Sequence, residues 1–311
     1  MSIQLTILGY NSALPKVDSH PTSQLLNINE RYILIDCGEG TQVQLRKAKA
    51  KFSRINHIFI SHFHGDHIFG LIGFINTLQL MGKSTPLQIF GPMGIKDFVE
   101  NQLKHTQAKC SYDIIFNELD HEDSRLIFED KKIEVYNIPL DHRIYCNGYL
   151  VKEKPKLKNL NIEAIQVYPE IQTCDYLNIK NGKDFVLSNG QIIANETLTY
   201  PQEKPLSYAF CSDTRYKEDL IEIIKGVDVL YHETTFDKSL ADLAHKTGHS
   251  TAEQAAKIAK KAKVGKLIMG HFSNRYTQLD DLLAEARSVF PESYLPKNLA
   301  TVEIKRKQHH P

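Results

Sequence analysis

The residues with the clearest chemical potential lie in Ser61-His62-Phe63-His64-Gly65-Asp66-His67, directly after the apolar run Ile58-Phe59-Ile60. Three imidazoles and a carboxylate packed this closely are costly to bury unless a metal binds them. Side chains two residues apart share a face of an extended chain, so we expect His62 and His64 to point the same way. Gly65 allows a sharp turn into a helix, where Asp66 and His67 could face a second position. The segment could therefore supply ligands to two metals, whereas a chance cluster of surface histidines is the alternative.

Three more metal-competent residues follow apolar strands elsewhere in the chain. His142 lies at a strand exit, Asp213 ends the strand predicted from Leu206, and His271 ends the strand predicted from Lys266. In layered α/β folds a rigid sheet directs several loops to one spot, so sites assemble at strand ends. A single residue of this kind is more often a core or capping residue. Their repeated occurrence after apolar strands indicates one shared metal site.

The elements that must position these residues alternate between strands and helices, which predicts an α/β layered domain. The opening of the chain is strand-rich, with predicted strands over 4–8, 23–28 and 31–36. Predicted helices cover 42–48 with Thr41 as a cap, 69–81, 94–105, 216–225, 240–245, 252–262 and 280–289. Thr251 and Gln254 have the spacing of a capping box before the helix over 252–262.

The composition is that of an ordinary globular, soluble protein. The 311 residues are 41% apolar and 24% charged, and no apolar run approaches the roughly 20 residues of a membrane span. No signal peptide is visible, so we expect a cytoplasmic protein without membrane partners. Five scattered cysteines without a Cys-x-x-Cys pair argue against a disulfide framework and a cysteine-based zinc site. A net charge of +1 means that nucleic-acid affinity would need local basic patches or the metals.

Residues 152–205 differ in character from the rest of the chain. They begin with the basic, proline-interrupted run Lys152-Glu153-Lys154-Pro155-Lys156-Leu157-Lys158 and continue as polar sequence with weak periodicity. We expect an inserted arm within a single domain spanning 1–311. A long surface loop without a particular role is the alternative.

The ordered set His62-x-His64-x-Asp66-His67, His142, Asp213 and His271 resembles the five-motif metal site of the metallo-β-lactamase fold. Further segments resemble the ribonuclease Z family of tRNA 3′-processing endonucleases, and the likeness covers nearly the whole chain. They are Asp36-Cys37-Gly38-Glu39-Gly40-Thr41-Gln42, His232-Glu233-Thr234-Thr235-Phe236, Gly248-His249-Ser250-Thr251 and Gly270-His271-Phe272-Ser273-Asn274-Arg275-Tyr276. The resemblance implies a four-layer αββα sandwich with a flexible, tRNA-binding arm at about 152–205.

The resemblance also implies two Zn²⁺ per subunit, although the same ligands suit Mn²⁺ or Fe²⁺. His62, His64 and His142 would bind one zinc, Asp66, His67 and His271 the other, and Asp213 would bridge them. His249 would donate a proton to the leaving 3′ oxygen, Glu233 would orient and charge His249, and Asp66 could double as a general base. The implied enzyme is a homodimeric, zinc-dependent endoribonuclease that removes the 3′ trailer from precursor tRNA and leaves a 3′-hydroxyl.

For RNA contacts we expect the alternating Lys152, Lys154, Lys156 and Lys158 to hold the backbone, and Ser250 and Thr251 to receive phosphate. The chain departs from the family pattern in three places. Pro15-Lys16-Val17-Asp18-Ser19-His20 lacks the usual Arg-Asn, Tyr168-Pro169-Glu170 replaces a Gly-Pro pair, and Ser212 replaces a glycine. Two alternatives remain open: a phosphodiesterase or arylsulfatase-like hydrolase of small esters, and a non-catalytic metal-containing RNA-binding protein.

Overall fold

The computed structural model describes residues 3–16 and 19–306, which divide into two compact units. The larger unit comprises the described residues up to Lys152 together with Leu206–Lys305, and the smaller comprises Glu153–Pro205 together with Arg306. The arm predicted at about 152–205 therefore covers nearly the same residues as the smaller unit. Among the described residues, none of the helices has the length and apolar character needed to span a membrane.

The strands of both units follow one another along the chain, and the first three have bounds close to those predicted over 4–8, 23–28 and 31–36. They are β1 (Ile3–Gly9), β2 (Ser23–Ile28), β3 (Arg31–Cys37), β4 (Ile55–Phe59), β5 (Leu87–Pro92), β6 (Ile114–Leu119), β7 (Leu126–Glu129), β8 (Ile133–Pro139), β9 (Asn147–Glu153), β10 (Phe185–Val186), β11 (Ile192–Ile193), β12 (Ser207–Cys211), β13 (Val229–Glu233), β14 (Lys266–Gly270), β15 (Ser293–Tyr294) and β16 (Thr301–Ile304).

The helices are 4 to 11 residues long, and most lie between consecutive strands. They are α1 (Thr41–Lys47), α2 (Gly65–Ile68), α3 (Leu71–Leu80), α4 (Ile95–His105), α5 (Ile162–Gln166), α6 (Tyr176–Lys180), α7 (Asn195–Leu198), α8 (Leu220–Ile223), α9 (Ala241–Thr247), α10 (Ala252–Lys261) and α11 (Asp280–Val289).

Two seven-stranded sheets form the larger unit. The first has the order β16-β1-β2-β3-β4-β5-β6 and the second the order β15-β14-β13-β12-β9-β8-β7. Strands β3 to β6 run parallel, as do β12 to β15. Their carboxyl ends therefore lie at one edge of each sheet, where the chain leaves β4, β12, β13 and β14 toward the predicted site residues.

The inner faces of the two sheets form a shared apolar core, and the helices cover the outer faces. Leu5 and Phe59 from the first sheet and Tyr208 and Tyr231 from the second belong to this core. Helices α1, α3 and α4 pack under the first sheet, while α8, α10 and α11 pack under the second. Each fully buried large apolar side chain contributes about 1.5–3 kcal/mol. The four-layer αββα sandwich predicted from the sequence is confirmed.

Two local predictions are wrong. Thr41 is not the cap of α1, because the helix already includes Thr41 and its N-cap is Gly40, which has a left-handed φ of 82°. The helix predicted over 216–225 shrinks to α8, since the backbone N–H of Arg215 donates to the Asp141 carbonyl at 2.8 Å and its side chain pairs with Asp141. These bonds hold the chain before Leu220 outside the helix. The Thr251–Gln254 capping box of α10 is confirmed.

The smaller unit has its own apolar cluster. Ile165 from α5, Ile179 from α6 and Leu198 from α7 are buried in it, and the two-stranded β10–β11 hairpin adds Ile193. The α5 helix begins with Asn161, whose side chain accepts a hydrogen bond from the Ala164 N–H. The residues between β9 and β12 thus have a folded core of their own.

Candidate metal centre

Four ligand atoms on three loops meet in a group that we call the first cluster: His62, His64, His142 and Asp213. His62 and His64 follow β4, and His64 Nδ1 lies 2.9 Å from His62 Nε2 and 3.2 Å from His142 Nε2. Asp213 Oδ2 lies 3.6 Å from His62 Nε2 and 3.8 Å from His142 Nε2. As expected, His62 and His64 present nitrogens to the same point.

The second cluster is formed by Asp66, His67, His271 and the other oxygen of Asp213. His67 Nε2 lies 3.4 Å from His271 Nε2 and 3.5 Å from Asp66 Oδ2. Asp213 Oδ1 lies 3.5 Å from His67 Nε2 and 3.2 Å from His271 Nε2. The first turn of α2, which begins at Gly65, turns Asp66 and His67 away from the first cluster.

Both clusters fit a divalent metal. Ligands bound at about 2.0–2.1 Å in a tetrahedron lie about 3.3–3.4 Å from one another. The separations of 2.9–3.8 Å in the first cluster and 3.2–3.5 Å in the second lie on either side of that value. Asp213 is buried, presents one oxygen to each cluster, and among the described residues its Oδ1 has no hydrogen-bond donor. A buried carboxylate oxygen of this kind is satisfied by a cation. A third group, Asp213, His249 and His271, reuses two of these ligands and so does not add a separate site.

Asp36, at the end of β3, orients His67. The His67 Nδ1–H donates to Asp36 Oδ2 at 2.7 Å, and Asp36 also accepts the N–H of Ser61 at 2.7 Å and its hydroxyl at 2.9 Å. A carboxylate behind a ligating imidazole fixes the ring and increases its basicity. Asp36 was not among the residues predicted to act at the site, and only its place at the end of β3 pointed to such a role.

His271 and Asp66 are oriented by two other groups. The His271 Nδ1–H donates to Thr235 Oγ1 at 2.9 Å, and the Thr235 hydroxyl donates to Glu233 at 2.6 Å. The Ala13 N–H donates to Asp66 Oδ2 at 2.8 Å. Three non-glycine residues around this cluster have a left-handed φ: Ala13 at 55°, Asp36 at 55° and His271 at 57°.

The first cluster is oriented by a backbone carbonyl and a hydroxyl. The His142 Nδ1–H donates to the Gly248 carbonyl at 2.7 Å, and His62 Nδ1 lies 2.9 Å from Ser61 Oγ. Gly248 has a φ of 82°, and a Cβ there would lie 2.7 Å from His142 Nδ1. Only glycine therefore allows this close approach between the two loops.

The clusters also differ in charge. Burial lowers the pKa values of His62, His64 and His142, so these imidazoles are neutral at pH 7. Burial also disfavours a charged His67, but the carboxylates of Asp213, Asp66 and Asp36 outweigh it and raise its pKa to about 10.

His249 and Glu233 lie together beside the ligands. His249 Nδ1 is 3.1 Å from Glu233 Oε1, and Glu233 is fully buried. Burial opposes a charged His249, but Glu233 outweighs it and raises the pKa of His249 to about 9. Glu233 also accepts the N–H groups of Ser250 and Thr235. His249 lines a cavity of about 500 Å³ together with His64, Asp66, Asp213 and His271.

The residues predicted to bind RNA all have contact partners within the chain. Ser250 and Thr251 are buried; the Ser250 hydroxyl donates to the Thr214 carbonyl, and the Thr251 hydroxyl accepts the Gln254 N–H. Lys152, Lys154, Lys156 and Lys158 are half-buried and each has a partner within the chain. Lys152 lies over the Tyr136 ring, Lys156 pairs with Glu203, and Lys158 donates to Asn195. The phosphate contact expected of Ser250 and Thr251 stays a prediction, and the hydroxyl groups of both residues are bonded within the chain.

Comparison with known proteins gives a consistent set of relatives. A Bacteroides fragilis protein named Ribonuclease Z is 44% identical over 97% of this chain and 99% of its own length. A Parabacteroides distasonis protein of the same name is 46% identical, covering 94% of this chain and 95% of its own. A family model described as anti-Pycsar protein Apyc1 matches residues 3–142.

Solved structures agree with these relatives. Human tRNase Z, short form, superimposes with a TM-score of 0.72 at 27% identity, covering 97% of this chain and 99% of that one. A metallo-β-lactamase-fold protein from Bacillus subtilis has a TM-score of 0.68 at 16% identity, covering 97% and 100%, which bears on the fold alone. Two sheets with a histidine–aspartate centre at their strand ends and relatives above 40% identity over nearly the full length lead to one assignment. The chain belongs to the ribonuclease Z family of metal-dependent endoribonucleases and has the metallo-β-lactamase fold.

Proposed function

We propose that this protein is a zinc-dependent endoribonuclease that removes the 3′ trailer from precursor tRNA and leaves a 3′-hydroxyl on the tRNA. The observation that carries the proposal is the position of Asp213, which gives one oxygen to each cluster beside the His249–Glu233 pair. The names of the relatives and of the human structure supply the substrate class.

His62, His64 and His142 would hold one zinc, and Asp66, His67 and His271 the other, with Asp213 serving both. When bound, the two cations supply Lewis acidity, which polarises the scissile phosphate and acidifies the attacking water. Nitrogen and carboxylate ligands also suit Mn²⁺ and Fe²⁺, so the chemistry of the donors admits these metals in place of zinc.

His249 is the proton donor in this proposal. As the attacking water bonds to phosphorus it releases one proton to solvent; the bond from phosphorus to the 3′ oxygen breaks, the bonding pair stays on that oxygen, and the oxygen takes a proton from His249. Glu233 orients the imidazole through Nδ1 and keeps it charged, so Nε2 is the nitrogen left for the leaving group.

Asp66 is assigned metal binding alone. Burial would raise the pKa of this carboxyl, but the positive charge of His67 and the hydrogen bond from His271 outweigh burial and hold the pKa below its ordinary value. A carboxylate with a lowered pKa is a weak base at neutral pH, so the general-base role implied by the resemblance is not needed here.

The proposal is tested by incubating the purified protein with a precursor tRNA that has a 3′ trailer, and mapping both product ends. We expect one cut that yields a tRNA ending in a 3′-hydroxyl and a trailer beginning with a 5′-phosphate. A 3′-phosphate on the tRNA, or a ladder of products from stepwise trimming, would contradict it.

The role of His249 is tested separately by His249→Ala. We expect turnover to fall about 10²–10⁴-fold, the usual range for losing a general acid, with metal content unchanged. His245→Ala, on the exposed face of α9, is the matched control. Normal cleavage by His249→Ala would reject this proton donor, and loss of metal would make His249 a ligand instead.

The small-ester alternative is distinguished by the arm. We propose that Glu153–Pro205 binds tRNA, which the resemblance alone supports because the four predicted lysines are engaged within the chain. Deleting 152–205 should abolish precursor cleavage and spare bis-p-nitrophenyl phosphate hydrolysis. RNA cleavage that survives the deletion unchanged would reject the arm hypothesis. An inert protein with both metals bound would instead support the non-catalytic alternative.

Two further parts of the proposal rest on the resemblance alone. We propose a homodimer in which the arm of one subunit clamps tRNA cleaved by the other, acting in the cytoplasm. Light scattering coupled to size-exclusion chromatography tests the assembly, and a monomer that cleaves precursor tRNA at full rate would reject it.

A further inference from the structure

Arg143 stands out among the residues that line the metal-site cavity. The cavity wall contains the acidic groups Glu39, Asp66 and Asp213, and Arg143 is its one arginine or lysine among the described residues. The side chain is exposed and directly follows the ligand His142. A permanently charged guanidinium therefore lines the same cavity as the proposed ligands and His249, and the mechanism proposed above gives it no role.

The aliphatic stem of Arg143 is packed against the loop that precedes His249. A Cβ at Gly248 would lie 3.4 Å from Arg143 Cγ, so the stem lies directly against this glycine. The Gly248 carbonyl also accepts a hydrogen bond from the Nδ1–H of the His142 ring. Packing of the stem limits the positions that the guanidinium can take, which lowers the entropic cost of binding an anion there.

Within the described ranges 3–16 and 19–306, the guanidinium has no carboxylate partner. Asp141, two residues away, is paired with Arg215 at 2.8 Å, and no ion pair of Arg143 occurs among the described residues. Arginine has five N–H donors and no acceptor, and its planar fork matches a phosphate bidentately. A solvated arginine in a nuclease site is thus free to bind phosphate.

Arg143 also lines a second cavity, of about 380 Å³, whose wall includes the whole segment from Pro139 to Cys146. This cavity is lined by Leu140, Ile144 and Tyr145, and by Lys217, whose ammonium donates to the Pro139 carbonyl. Arg143 belongs to the walls of both cavities, and the ligand His142 belongs to the wall of the second. An RNA strand could place its scissile phosphate at the proposed metal ligands and its next nucleotide in the second cavity. Such a strand would pass Arg143 on the way from one cavity to the other.

We infer that Arg143 binds the phosphodiester next to the scissile one, with the neighbouring nucleotide in the second cavity. The inference rests on the proposed function and adds a positioning residue for an RNA strand. It gives the chain a reason to prefer polynucleotides over small esters, because a substrate with one phosphate has no neighbouring phosphodiester for this guanidinium to bind.

The test compares Arg143→Ala with the unchanged protein on precursor tRNA and on bis-p-nitrophenyl phosphate. Losing a hydrogen-bonded charge contact should lower kcat/KM for the RNA about 10- to 100-fold, with the small ester hydrolysed within about twofold and metal content unchanged. Arg143→Lys should recover part of the loss, since it keeps the charge without the fork. Arg54→Ala removes an exposed arginine already paired with Glu30 and is the control.

Precursor tRNAs with one neutral methylphosphonate on either side of the scissile bond identify the phosphate. For the unchanged protein, a methylphosphonate at one of the two positions should lower kcat/KM about 10- to 100-fold. For Arg143→Ala, the same methylphosphonate should cause no further loss of kcat/KM. The inference is overturned, with the proposed function left standing, if Arg143→Ala cleaves precursor tRNA as well as the unchanged protein does or loses as much kcat/KM on the small ester as on the RNA. It is also overturned if the loss from Arg143→Ala adds to the loss from the methylphosphonate at both positions. Failure of the unchanged protein to cleave precursor tRNA would overturn the proposed function and this inference with it.

Discussion

The two ligand clusters share Asp213 but are held by different parts of the chain. Behind the second cluster stand buried side chains, with Asp36 on His67 and Thr235 on His271. Behind the first stand the Gly248 carbonyl and the Ser61 hydroxyl. Side-chain substitutions away from the ligands should therefore weaken the second cluster selectively, while the first has a backbone partner that substitution cannot remove.

The largest effect should come from Asp213→Ala, which removes the residue common to both clusters. Because each cluster loses one of its four donors, we expect both metals to be lost and activity to fall at least about 1000-fold. Metal analysis and precursor cleavage measure the two losses, with Asp120→Ala on an exposed residue as control. If one full equivalent of metal remained, the clusters would be more independent than a shared carboxylate allows.

Asp36→Asn should weaken the second cluster more than the first, because Asp36 bonds His67 directly and reaches His62 only through the Ser61 hydroxyl. Removing the charge behind a ligating imidazole lowers metal affinity about 10- to 100-fold, so one equivalent should be released at lower chelator concentration while the other is retained. Asp130→Asn, at a carboxylate paired with Arg31 elsewhere in the first sheet, is the matched control. Equal weakening of both equivalents would show that the clusters do not differ as described.

The two binding steps should also differ in their dependence on pH. Below about pH 10 the metal-free second cluster keeps a proton on His67 that a metal must displace, so its affinity should rise about tenfold per pH unit between pH 7 and 9. The first cluster has neutral histidines over this range, and its affinity should be nearly level. Calorimetry in buffers of different ionisation enthalpy counts the protons released. Two equal proton counts would contradict the charge difference.

Thr235→Val should have the smallest effect. Valine keeps the shape but removes the acceptor of the His271 N–H and the hydroxyl donor to Glu233, while the Thr235 backbone N–H still donates to Glu233. We expect about a tenfold loss of affinity for one metal, at the lower end of such effects. Thr247→Val on α9 controls for the loss of a helix hydroxyl. Unchanged chelator sensitivity would mean that His271 is oriented by packing alone.

The meeting of the proposed ligands was predictable from the sequence because each follows an apolar strand, and parallel strands end at one edge of a sheet. The partner of His67 was not, since Asp36 lies 31 residues away. The link is made by the parallel pairing of β3 and β4, in which Ile35 lies opposite Phe59. This register brings the next residues of both strands together, and strand pairing of this kind is a tertiary property.

For the residues predicted to bind RNA, the sequence shows which polar groups are present but does not show which of them are already bonded within the chain. Thr251 was assigned both a capping box and a phosphate contact, but a hydroxyl that accepts the Gln254 N–H within the helix start is already used. The lysines of the arm were assigned from charge alone, and Lys156 and Lys158 are bonded to Glu203 and Asn195. A basic run shows that charge is present and leaves open whether the chain itself neutralises it.

The left-handed backbones of Ala13, Asp36 and His271 set a limit on how this protein can change over evolutionary time. Each conformation disfavours a residue with a Cβ by about 1–2 kcal/mol, and the three together approach the net stability of many domains. Substitutions that relaxed any of them would make the fold more robust and misplace a ligand or its partner. Thermal robustness and catalysis thus oppose each other at these three positions, and selection for activity must keep the less stable choice.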